Sequence, residues 1–151
     1  MQTITKSIVQ GALIMSKKVL NLLYWGAMAL LLIWFAYTKG WIFADFESIS
    51  PKQALERIEK NPDTPIIDVR TPKEFQKGHL VDATLIPLDR LEANLNKLAA
   101  FKNQPILVYC RSGSRSVEAS RILKKHGFSP LNVKNGIIGL IGAHATIVKT
   151  P

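Results

Sequence analysis

A chain of 151 residues has room for one ordinary domain, and its formal charge of +9 arises from 20 Lys plus Arg against 11 Asp plus Glu. The basic residues of the domain are interspersed with acids and form no stripe interleaved with aromatics, which argues against a nucleic-acid face. The single cysteine, Cys110, excludes an internal disulfide framework, and the three histidines, His79, His126 and His144, stand too far apart for a metal-ligand spacing.

The charge is unevenly placed. Every acidic residue lies at or after Asp45, and before it the only charges are Lys6, Lys17, Lys18 and Lys39, the basic flank of a membrane segment. Residues 1–18 form an amino-terminal tail. Its first 14 residues have no clear pattern, and Met15 begins MSKKVLNLL, which itself reads like a natural start, so residues 1–14 are either an over-long start or a disordered tail. Residues 19–37, VLNLLYWGAMALLLIWFAY, carry no charge and one strongly polar side chain, Asn21. As a helix they rise roughly 28 Å, close to the hydrocarbon thickness of a bilayer. Trp34, Tyr37 and Trp41 stand where an interfacial aromatic belt would lie. A cleavable signal peptide would have a shorter apolar core and a small-x-small cleavage site. Ala36 is preceded two positions earlier by Trp34, and Ala44 by Ile42, so the pattern favours an uncleaved transmembrane anchor. Residues 38–49 are then a linker and residues 50–151 the domain.

Within the domain, Ser50-Pro51-Lys52-Gln53 has the grammar of a helix start, with a serine N-cap, proline at the first position and a glutamine to complete a capping box. Ala54, Leu55 and Ile58 give that helix one apolar face, and Asn61-Pro62 ends it. Residues 64–69 predict a strand around Ile66, Ile67 and Val69. Thr71-Pro72-Lys73-Glu74 repeats the capping box, and Gly78 stops that short helix. A short strand is expected over 83–86, and Leu88, Leu91, Leu95 and Leu98 recur at helical spacing. Residues 105–109, with the run ILVY, predict a strand buried on both faces. A helix over 116–126, a strand over 131–133 and an apolar helix over 136–143 complete the chain. Strands that alternate with helices imply an α/β fold, a parallel sheet covered on both faces.

Cys110 follows the buried strand directly, and Arg111-Ser112-Gly113-Ser114-Arg115 separates it from the next helix. Loops between a strand's carboxyl end and a helix's amino end are where such folds bind ligands. Small residues there let backbone N–H groups turn inward and make an anion cradle with the helix dipole. A thiol at its mouth, between Arg111 and Arg115, stands in a positive field, the setting of a nucleophile rather than of an inert buried thiol.

CRSGSRS resembles the active-site loop of the rhodanese family. The likeness extends in order through Ile67-Asp68-Val69-Arg70, Glu74-Phe75, Gly78-His79-Leu80, Ala83, Ile86-Pro87-Leu88 and Leu107 to Gly113, from about Ser50 to about Leu140. The resemblance implies a rhodanese-like parallel sheet flanked by helices, here preceded by one transmembrane helix. It also implies that Cys110 takes a sulfane sulfur from a donor as a persulfide and passes it to an acceptor. The amides of Arg111, Ser112, Gly113, Ser114 and Arg115 would cradle the sulfur. Arg111 would face the pocket mouth and attract an anionic donor such as thiosulfate, and Arg115 would close the loop. Asp68 and Arg70 would brace the site from the neighbouring strand end. Glu74 and His79 read as structural, Glu74 as an ion-pair and capping residue. Six residues from Cys110 to Arg115 match the sulfurtransferases of the resemblance. Relatives with one more are phosphatases and arsenate reductases, and phosphoryl transfer would need a general acid, for which Asp68 is the one arguable candidate and not a convincing one. One departure lies near the carboxyl end, where Asn135-Gly136-Ile137-Ile138-Gly139-Leu140 replaces the family's Gly-Gly-x-x-x-Trp. Ile137, Ile138, Leu140 and Ile141 are expected in the core or against a membrane surface.

The reading is thus a sulfurtransferase that takes sulfur from a thiosulfate-like small molecule and gives it to a thiol or cyanide-like acceptor, with a protein acceptor also open. It implies no metal, cofactor or nucleic acid. Two alternatives stay open: a non-catalytic, membrane-tethered module of the same fold that binds a partner or delivers sulfur, and phosphatase-like or arsenate-reductase-like chemistry. The charge pattern predicts a single-pass protein of a bacterial inner membrane with its domain in the periplasm.

Overall fold

The computed structural model describes residues 2–38, 42 and 44–149, with side chains from Ser16 onward. Lys39 and Trp41, used above for charge bias and aromatic belt, lie outside the described residues. The chain divides into two compact units, Met1–Tyr37 and Thr38–Pro151.

The first unit is one helix, α1 (Gln2–Thr38), which extends the apolar run toward the amino terminus through residues read above as a tail. Within it, Ser16–Thr38 supplies 23 residues long and apolar enough to cross a bilayer. Its large side chains, Leu20, Leu22, Trp25, Leu30 and Trp34 among them, are exposed.

The second unit is built on a five-stranded parallel sheet in the order β1-β6-β5-β2-β4. The strands are β1 (Glu47–Ile49), β2 (Ile66–Asp68), β4 (Ala83–Leu85), β5 (Pro105–Tyr109) and β6 (Ser129–Val133). A two-stranded antiparallel ribbon pairs β3 (His79–Leu80) with β7 (Ile147–Val148). The expected linker over 38–49 is therefore shorter, because its last three residues join the sheet edge and Ile49 packs into the core. Both capping boxes form. Gln53 N–H donates to Ser50 Oγ at 3.3 Å and Ser50 N–H to Gln53 Oε1 at 2.8 Å, which starts α2 (Pro51–Lys60). Thr71 and Glu74 do the same for α3 (Pro72–Gln76). Leu88, Leu95 and Leu98 lie in 3-10 rather than α turns, Leu88–Arg90 and Glu92–Phe101, and Leu91 in the turn between them, with Leu91 and Leu98 buried. The helix expected from residue 116 starts two residues earlier, as α4 (Ser114–Lys125). The last helix is α5 (Gly136–Gly142).

β5 lies at the centre of the sheet and is buried on both faces, so its side chains alternate between two cores. Ile106, Val108 and Cys110 point into the core shared with Leu91, Leu98, Ala119 and Leu123. Leu107 and Tyr109 point into the other, with Ala54, Ile137 and Leu140. Each such aliphatic side chain contributes roughly 1.5–3 kcal/mol by burial. The central strand is therefore the best-fixed backbone in the domain, and Cys110 is its next residue.

Candidate active site

Parallel pairing places Asp68 of β2 opposite Tyr109 of β5, and Val69 N–H donates to Tyr109 O at 3.0 Å. The carboxyl ends of the two strands thus bring Asp68 level with Tyr109, the residue before Cys110, and Arg70 over the Tyr109 ring at 5.7 Å. The thiol is 1% exposed, at the base of the loop that leads into α4. Gly113 N–H donates to Cys110 Sγ at 3.1 Å. Gly113 has φ of +101°, a left-handed conformation that glycine adopts without strain, and this lets its amide turn back to the sulfur. Ser116 Oγ–H donates to Gly113 O at 3.1 Å and fixes the turn from the first coil of α4.

The start of α5 holds the loop from the other side. Ile137 N–H donates to Cys110 O at 2.8 Å and Ile138 N–H to Arg111 O at 3.3 Å. Gly136, at φ +52°, passes so close that a Cβ there would stand 2.3 Å from Cys110 O. Gly136 therefore serves the cysteine loop, a role its sequence reveals only through the turn-forming Asn135-Gly136 pair.

Two ion pairs brace the site. Asp68 is fully buried and accepts from the Arg70 backbone N–H at 2.9 Å, from Arg70 Nε at 3.0 and 2.9 Å and from Nη2 at 2.6 Å. Arg70 Nη2 also donates to Gly78 O at 2.7 Å. Burial opposes the Arg70 charge, but the hydrogen bonds and negative charge of Asp68 outweigh it and hold the guanidinium above its ordinary pKa. Burial, followed by the charge of Asp68, pushes the Tyr109 phenol well above its usual range. It stays protonated, and its oxygen accepts from Leu80 N–H at 3.2 Å.

The second pair joins Arg115 to Glu74 through two parallel bonds, Nη1 to Oε2 at 2.8 Å and Nη2 to Oε1 at 2.7 Å. The Arg115 hydrogen bonds bring the Glu74 carboxyl down to about 2, with help from Thr71 and against its partial burial. Arg115, one of the residues expected in the cradle, thus has its guanidinium engaged across the loop. Arg111 and Ser112 are exposed, and Ser114 is half-buried. His79 stacks on Phe75 at 3.6 Å between ring centres and donates from Nδ1 to Phe75 O at 2.9 Å, a structural arrangement.

Next to Cys110 in the chain, Arg111 joins Arg70, Glu74, Lys77, Gly78, Ile137, Ile138, Ile141 and Ile147 in lining a cleft of about 330 Å³, to which Cys110 itself does not contribute. Arg111, expected at a pocket mouth, is among the lining residues. The isoleucine cluster expected as one body divides: Ile137 and Leu140 are buried, whereas Ile138 and Ile141 are exposed on the cleft. Lys77 and Ile147 were not legible as site residues, because only the pairing of β3 with β7 brings together two positions this far apart in sequence.

These features agree with known proteins. The family model of the rhodanese-like domain matches residues 50–140. A sulfurtransferase from Allochromatium vinosum is 33% identical over 95 residues, which cover 62% of this chain and 82% of that protein. The crystal structure of a rhodanese-like domain protein from Staphylococcus aureus matches with a TM-score of 0.59 at 29% identity, over 63% of this chain and 91% of that one. A thiosulfate sulfurtransferase from Pseudomonas aeruginosa, 18% identical, shares the fold with a TM-score of 0.68 over 78% of this chain and 22% of its own. The α/β sheet, the cysteine loop and the match over residues 50–140 together place this chain in the rhodanese-like domain family.

Proposed function

We propose that the protein is a membrane-anchored sulfurtransferase in which Cys110 carries sulfur as a persulfide. The observation that carries the reading is the Gly113 N–H donated to Cys110 Sγ at the end of the central strand, where α4 also presents its amino terminus. In the first half-reaction the Cys110 thiolate attacks the sulfane sulfur of a thiosulfate-like donor. The new S–S bond forms as the donor's own S–S bond breaks, and sulfite leaves with the electron pair. In the second, an acceptor nucleophile, a thiolate or a cyanide-like anion, attacks the outer sulfur and Cys110 departs as thiolate. The charge held through both steps is an anion on sulfur, which the backbone amides of residues 111–115 would stabilise, and the Gly113 N–H donated to Cys110 Sγ supports this. Arg111 at the cleft mouth draws in the anionic donor. Arg115 acts through Glu74 as a positioning residue that keeps the loop closed, and Asp68 with Arg70 supports it from β2.

For localisation, the exposed apolar length of Ser16–Thr38 supports a membrane-crossing helix, while an uncleaved anchor in the inner membrane with a periplasmic domain rests on the cleavage-site and charge patterns of the sequence.

The test of the chemistry is Cys110→Ser. Serine is nearly isosteric at this buried position, but its hydroxyl is a poor nucleophile without a base. The variant should fold and fail to gain the mass of one sulfur atom on exposure to thiosulfate, whereas the parent gains it and loses it to a thiol. Substantial transfer by the pure variant would end the persulfide mechanism.

A further inference from the structure

The charges around the cleft do not all remain free for a ligand. Arg70 is spent on Asp68, and Glu74 is neutralised by Arg115. Arg111 and Lys77 are left, both exposed, and among the described residues neither forms a salt bridge. The rest of the lining is aliphatic. Ile138 and Ile141, one helical turn apart on α5, are 56% and 55% exposed and form one wall. Ile147 continues that wall from β7, and Ile137 lines it from beneath. A cleft of about 330 Å³ is on the scale of sites for organic ligands, and far exceeds what a small inorganic anion occupies. Bare thiosulfate would satisfy the two cations and leave the isoleucines in water.

Resting on the sulfur-transfer reading above, we infer that this cleft selects an organic sulfane-sulfur anion, one charged head on an apolar body, over inorganic thiosulfate. The head meets Arg111 and Lys77, and the body lies on Ile138 and Ile141. Alkanethiosulfonates, R–SO2–S⁻, are the matching probes. The Cys110 thiolate attacks their terminal sulfur, the S–SO2 bond breaks, and the alkanesulfinate R–SO2⁻ leaves with the electron pair. Cys110 keeps one sulfur, and no oxidant or reductant is consumed. Across the series the leaving sulfinate keeps its charge and nearly its basicity, and only its apolar body grows. Any trend therefore reports the wall and not intrinsic reactivity.

The experiment uses the full chain in detergent micelles and follows persulfide formation by mass from methane-, ethane- and butanethiosulfonate, with thiosulfate alongside. Chains this short stay in the aqueous phase. The specificity constant for loading should rise about tenfold from methane to butane, less than three fully buried methylenes would give, because the cleft is open. In the Ile138→Ser, Ile141→Ser variant the rise should shrink to less than about twofold, the loss expected when the apolar wall is removed. The alanine pair at the same positions should give an intermediate slope and serves if the serine pair does not fold. A flat series in the parent, or the same slope in the variants, overturns the selectivity while loading itself preserves the sulfur-transfer reading. Loading from no donor at all overturns both.

Discussion

Arg115 and Glu74, 41 residues apart in sequence, meet in a two-pronged pair that ties the first turn of α4 to the first turn of α3. The same Glu74 carboxylate accepts the Thr71 N–H at 3.1 Å and the Thr71 hydroxyl at 2.9 Å. One side chain therefore caps α3 and clamps the loop that carries Cys110. The bonds of the clamp join Thr71, Glu74 and Arg115 to one another, which makes it a support for geometry and not a participant in bond exchange.

Glu74→Gln separates the charge from the cap, since glutamine also serves at the third position of a capping box. In the folded protein the carboxyl holds its charge down to about 2, against an ordinary value of 4.5. The unfolded chain takes up a proton first as pH falls. The pair's stabilisation is thus complete above about pH 5 and disappears as pH drops through about 2. Both side chains are partly exposed, so solvent screening limits it to about 1 kcal/mol. Urea unfolding should show Glu74→Gln less stable by that amount at pH 7 and equal to the parent near pH 2. A constant difference across the range would mean that the cap, not the charge, was lost.

Asp68→Asn should be more damaging. It keeps the shape and one acceptor but leaves the buried Arg70 charge uncompensated, at a cost of about 3 kcal/mol or more. Adding Arg70→Met removes the stranded charge. The double variant should recover part of the loss, a non-additivity readable from denaturant midpoints. Additive losses would show that the two side chains act independently.

Gly136→Ala tests the close approach of α5 to the cysteine loop. Its Cβ would lie 2.3 Å from Cys110 O and 2.8 Å from Arg111 O, and φ is +52°. No flexible side chain can give way there, because both neighbours are backbone. A loss of about 2–4 kcal/mol is expected, with sulfur loading impaired even at temperatures where the variant remains folded. Wild-type loading at reduced stability would mean that the strain is absorbed within α5.

Much of this architecture was legible because local signals and tertiary packing agree. The ILVY run, the capping boxes at Ser50 and Thr71, and a cysteine placed between strand and helix each have a short-range cause. What escaped the sequence has a long-range one. The two- and three-residue strands β1, β3 and β7 show no alternation and exist through their partners. Leucine spacing at 88–98 marked the buried face but does not distinguish α from 3-10 turns. Glu74 was legible as a capping and ion-pair residue, while its partner Arg115 was read as a charge beside the thiol and a cradle residue closing the cysteine loop, with no sign that the two would meet. The isoleucine wall on the cleft depends on how α5 and the β3–β7 ribbon close over the sheet.

Orientation is the last expectation, and burial of the thiol decides how to test it. Lys6, Lys17 and Lys18 precede the apolar run, and Lys39 and Lys52 follow within about 15 residues, a three-to-two bias strengthened by the adjacency of Lys17 and Lys18 to the span. The amino terminus should therefore stay in the cytoplasm and the domain lie in the periplasm. As the sole cysteine, Cys110 offers a unique label, but at 1% exposure it would react slowly from either compartment, and when loaded with sulfur it would present a persulfide in place of the thiol. An exposed reporter removes both difficulties. Asp63 lies in the turn between α2 and β2 and is exposed, so Asp63→Cys in a Cys110→Ser background places one free thiol on the domain surface. Intact cells are treated with a membrane-impermeant maleimide small enough to pass outer-membrane pores, and the extent of labelling is compared with that in lysed cells. Equal labelling in both is expected. Labelling that appears only after lysis would place the domain in the cytoplasm and reverse the assignment.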